Sequence, residues 1–89
     1  MHLKPNLKLR HVKDDFLIVD QNEETIDLTY LYQMSPAEAY LWEKFYGKDF
    51  TIEMMREALC NAFEVSHEMA THDLNEMLNQ WEAYGLLIR

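Results

Sequence analysis

Apolar and polar positions alternate through the first third of the chain, then switch to a helical spacing at Ser35. Leu7, Leu9 and His11 or Val12 are separated by Lys8 and Arg10, the period-two pattern of a strand with one buried face. Asp14-Asp15 is turn chemistry, Phe16-Leu17-Ile18-Val19 suits a second strand, and Asp20 to Glu24 reads as a tight polar loop. From Thr25 to Leu31 the alternation resumes, with Ile26, Leu28 and Tyr30 on one side and Asp27, Thr29 and Leu31 on the other. These runs predict a three-stranded antiparallel β-meander with its third strand at an edge.

Three helix starts follow. Ser35-Pro36-Ala37-Glu38 is a capping box with proline at the first helical position, and Gly47 supplies the left-handed stop, so a first helix is predicted over 36–46. Thr51 caps a second helix with Ile52, Met55, Leu59 and Phe63 on one face. Ser66 caps a third that gathers Ala70, Leu74, Leu78 and Trp81, with Met77 and Tyr84 at one margin of the stripe. Gly85 ends it, leaving Leu86-Leu87-Ile88 to lie back against the body. The order βββααα predicts a single α+β domain of winged-helix type over 1–89. Within it, 1–33 form the meander with a basic N-terminal arm, and 34–89 form a three-helix unit.

Composition narrows the function. Eighty-nine residues, 48% hydrophobic and 12% aromatic, are globular and too few for two cores. No run approaches a membrane span, the N-terminus MHLKPNLKLR lacks a signal peptide's apolar run, and the single Cys60 fits a cytoplasmic setting. His67 and His72 lie five residues apart, on different helix faces, and no metal site is expected. Ser35, Thr51 and Ser66 are caps rather than nucleophiles, Cys60 reads as core filler, and two glycines cannot build a phosphate-binding loop. Neither catalysis nor a cofactor is expected.

Charge separates the remaining classes. Residues 1–13 carry +4 and residues 14–89 carry −12. A winged-helix domain reads DNA with its last helix, where lysines and arginines neutralise phosphates. Here Ser66 to Tyr84 holds Glu68, Asp73, Glu76 and Glu82 and no Lys or Arg, which argues against nucleic acid. An open strand edge can instead pair with an extended peptide. With the third strand beside the third helix, the expected groove has a floor of Leu28, Tyr30, Met77 and Tyr84, and Ile26, on the same side of the strand, is a further expected peptide contact. Asp73 and Gln80 form the groove's rim, and Thr29 is the backbone position at which a proline would block pairing. In the competing arrangement the N-terminal arm covers that edge and the groove is only core. A winged-helix regulator and a structural subunit of a larger complex are the alternative functions.

The helical half resembles the PqqD-like family, the pyrroloquinoline quinone biosynthesis protein D and related recognition elements for the precursors of ribosomally made, modified peptides. Met34-Ser35 stands at its Leu-Asn step, Leu41-Trp42 at its Ile-Trp step, and Phe50-Thr51-Ile52 at its aromatic-Thr-Val step. Asp73-Leu74 matches Asp-Val and Gly85-Leu86-Leu87 matches the closing Gly-Leu-Leu, while Gly47 matches the Gly of Asp-Gly with Tyr46 in place of Asp. The resemblance extends over 34–88, and over 7–31 by strand pattern alone. It implies a non-catalytic module that holds a precursor's leader peptide against the third strand and third helix. The module would present that peptide to a modifying enzyme, commonly a radical SAM protein.

Overall fold

A computed structural model describes residues 1–20 and 31–89. Within it, β1 (His2–Leu3), β2 (Leu7–Val12), β3 (Asp15–Asp20) and β4 (Tyr32–Met34) precede α1 (Pro36–Phe45), α2 (Ile52–Phe63), α3 (His67–Ala83) and β5 (Leu87–Ile88). The chain is an α+β, winged-helix-type fold: an antiparallel sheet in the order β2-β3-β4, followed by three helices. No helix among the described residues is long and apolar enough to cross a membrane.

The hairpin forms where the alternation places it. Val12 pairs with Asp15 across Lys13 and Asp14, and Lys13 takes the positive φ of 57° that a tight hairpin turn demands. The turn therefore sits one residue earlier than the Asp14-Asp15 pair suggests. The expected third strand, Thr25–Leu31, is described only at its last residue. Residues 25–30 lie outside the described residues, Leu31 is an exposed bend, and the strand that pairs with β3 is Tyr32–Met34. Tyr32 and Met34 are buried and Gln33 is exposed, the in-out-in alternation of a half-buried strand.

Each helix begins at its expected cap. Ser35 accepts from the Glu38 amide, which completes the capping box with Glu38 reaching back to the Ser35 amide; Thr51 accepts from Met54 and Ser66 from Met69. The core lies between the helices and the inner sheet face, where Trp81, Ile18, Leu41, Met55, Leu74, Leu78 and Leu86 are sealed from solvent. Burying each such side chain stabilises the fold by about 1.5–3 kcal/mol. Trp42 meets Trp81 edge-on, with ring centroids 5.6 Å apart. Phe63, expected on the inner face of α2, is instead exposed, and its ring meets Tyr40 edge-on at 5.6 Å.

The two ends of the chain clasp. His2 and Leu3 pair antiparallel with Ile88 and Leu87, and the Lys4 amide donates to Leu86 at 2.9 Å. The start of the N-terminal arm thus adds to the C-terminal strand, and among the described residues no strand pairs with the outer side of β4; the Thr25–Leu31 edge of the competing arrangement lies, but for Leu31, outside the described residues.

Candidate functional site

β4 is the last strand of its sheet among the described residues, and the direction of its free backbone groups follows from one hydrogen bond. The Leu31 amide donates to the Ile18 carbonyl at 2.7 Å, so that carbonyl faces β4. Successive residues of a strand aim their backbone groups to opposite sides. Leu17, one residue earlier, therefore faces β2, and its partner across the ladder, Gln33, aims its N–H and C=O away from the sheet. Among the described residues, Gln33 is the backbone position of this edge that meets no partner. Its side chain leaves the edge clear, donating across the sheet surface to Asp15 Oδ1 at 3.0 Å.

Beside this edge lie the last turns of α3. Leu31, Tyr32, Gln33, Gln80 and Tyr84 enclose a concavity of about 510 Å³. Gln80 also borders a second cleft, of about 270 Å³, between the start of α1 and the middle of α3. That cleft has an apolar floor of Ala37, Leu41, Leu59, Leu74 and Met77, with Glu38, Asp73 and Glu76 at its margins. Neither hollow is lined by Lys or Arg. Gln80 is common to both linings, so the two hollows, taken together as the groove, lie along α3 between the strand edge and the start of α1.

A polar network holds the strand and both helices in register. Glu38 Oε2 accepts from the Tyr32 hydroxyl and from Trp81 Nε1, both at 2.8 Å, while its Oε1 faces the Ser35 amide at 3.3 Å. The capping carboxylate of α1 thus also satisfies the indole of α3 and the phenol of β4. Gln80 Oε1 lies 2.8 Å from the same Tyr32 hydroxyl. One proton cannot serve both acceptors, and the charged carboxylate is the stronger, so the Gln80 amide remains the less tightly held group. Burial, then the hydrogen bond and charge of Glu38, hold the Tyr32 phenol well above its ordinary pKa. It stays a proton donor throughout the physiological range.

Three of the expected site residues lie on α3, and a fourth, Tyr84, caps its end. Asp73, Met77 and Gln80 line the inner cleft, and Gln80 and Tyr84 line the concavity beside β4. Met77 is floor, but Tyr84 is 60% exposed and stands as a wall, its ring edge-on to Tyr32 at 5.1 Å. Ile26, Leu28, Thr29 and Tyr30 lie outside the described residues. Leu31, Tyr32, Gln33 and Glu38 border the groove in addition to the expected residues. The alternation Tyr32-Gln33-Met34 just before Ser35 was the available signal for the strand.

The family model described as "Coenzyme PQQ synthesis protein D (PqqD)" matches residues 21–87. Among solved structures, the fold is similar to the one titled "TbiB1 in Complex with the TbiA(beta) Leader Peptide", with a TM-score of 0.72, 17% sequence identity, and coverage of 98% of this chain and 94% of that one. No curated protein sequence gives a significant match.

Proposed function

The chain belongs to the PqqD family, and on that footing we propose that it is a non-catalytic, cytoplasmic accessory protein that captures the leader segment of a precursor peptide. The peptide adds as a strand to the β4 edge, lies against α3, and is presented to a modifying enzyme of the radical SAM type. The whole chain acts as one domain in this role. The observation that carries the reading is the outward-facing backbone of Gln33 beside the groove bordered by Gln80 and Tyr84. A similarly folded protein whose structure is titled as a leader-peptide complex supports it. DNA reading is disfavoured by an α3 with four carboxylates and no Lys or Arg.

The test separates backbone from side chain at one residue. Gln33→Ala removes the link to Asp15 and keeps the N–H; Gln33→Pro also removes the N–H. With peptides selected from a random display library, Gln33→Ala should bind nearly as the parent does. Gln33→Pro should lose binding while its thermal melt stays close to that of Gln33→Ala. Equal binding by both variants would exclude strand addition at this edge.

A further inference from the structure

The groove's inner cleft is apolar at the bottom and anionic at the margin, which specifies the guest's chemistry. Leu74 and Met77 are buried in its floor, while Asp73 and Glu76 stand exposed one helical turn apart on the same face of α3. Glu38, the third carboxylate, is already occupied by the Tyr32, Trp81 and Ser35 donors. Glu76 has only His72, 3.5 Å away and itself exposed, and Asp73 has no partner among the described residues. With no Lys or Arg in the lining, this margin carries unbalanced negative charge over an apolar hollow. Resting on the peptide-capture reading, the geometry points to a guest segment with an apolar side chain two residues from a Lys or Arg. The apolar group fills the cleft over Leu74 and Met77, and the cation stands between Asp73 and Glu76.

Alternation makes the pairing specific. A strand continuing from β4 past Gln80 presents side chains on the groove side at every second position, about 7 Å apart. That spacing lets one side chain enter the floor while its neighbour on the same side reaches the margin. An anionic or purely polar guest would meet the same carboxylates without compensation.

The experiment uses the full chain and a random peptide display library. Selected peptides should be enriched in Lys or Arg two residues from an apolar residue. The Asp73→Lys, Glu76→Lys double variant should weaken them by roughly tenfold, two exposed ion pairs being exchanged for repulsions. Replacing the peptide's cation with norleucine should cost the parent protein several-fold, roughly, and the double variant nothing. Both positions are exposed on α3, so the double variant should keep the parent's helical circular dichroism. If selected peptides shift the amide resonances of Gln33 and Tyr84 yet show no basic enrichment and no sensitivity to the charge reversal, this inference is wrong and the peptide-capture reading stands. If no selected peptide perturbs those resonances, the reading itself fails and the inference with it. A salt-sensitive dimer of the protein alone, dissolved by the double variant, would assign the cleft to a second copy and overturn the inference.

Discussion

Glu38 shows how much one side chain can settle. As the third residue after the Ser35 cap it has a local duty to its own helix, and that duty is legible in Ser35-Pro36-Ala37-Glu38. Its second duty, receiving Tyr32 from the strand and Trp81 from α3, joins residues 6 and 43 positions away and leaves no mark in a local pattern. Glu38→Ala should cost about 1–3 kcal/mol in chemical denaturation, because the sealed Trp81 indole N–H loses its acceptor and the Ser35 amide its capping partner, while the Tyr32 hydroxyl turns to Gln80. Tyr32→Phe removes a single bond and should cost about 1 kcal/mol. The same pair gives a pH signature. The native Tyr32 phenol is raised by burial and by Glu38, whereas an unfolded tyrosine titrates near about 10. The stability from keeping this phenol protonated is complete below that pH and is lost as pH climbs toward the raised native value. Denaturation midpoints should therefore fall more steeply above about pH 10 in the parent than in Tyr32→Phe.

The elements divide by how local their causes are. All three helices start at Ser35, Thr51 and Ser66 as their sequences dictate, because a cap bonds only three residues ahead. The β2–β3 hairpin is equally readable, since a two-residue turn fixes its register. β1 and β5 are two residues each and find one another from opposite ends of the chain, so no periodicity could announce them. The run ending at Leu31 concealed the strand that follows it, because Ser35 drew the helix boundary close and left Tyr32–Met34 looking like a linker. Part of the groove was legible for the same reason as the helices: Asp73, Met77 and Gln80 recur on one face of α3. The end of α2 carries a prediction of its own. Glu64 closes it in the left-handed conformation, φ 51° and ψ 42°, where glycine is at ease and a β-carbon is not. Glu64→Gly should raise stability by about 0.5–1 kcal/mol, visible as a thermal midpoint higher by a few degrees.

Across the whole molecule, charge and backbone follow one plan. Lys8 and Arg10 lie on the far edge strand, while the acidic α3 flanks the edge at Gln33, so the two sheet edges differ in sign. Lysine and arginine on β2 discourage a second chain from adding there, whereas β4, the other edge among the described strands, carries no such charge. The N-terminal residues, pinned to β5 and the core by Leu3, cannot fold over that edge without giving up the clasp.

The indole of Trp81 gives the molecule a built-in optical reporter. It is sealed from solvent, bonded to Glu38 and edge-on to Trp42, while Glu38 shares the Tyr32 hydroxyl with Gln80 at the groove's centre. A chain that claims the Gln80 amide frees the hydroxyl for the carboxylate alone and alters the electric field at the ring. Saturation with a selected peptide should change the intrinsic tryptophan emission without any attached dye, and an unchanged spectrum would mean that the guest does not reach Gln80.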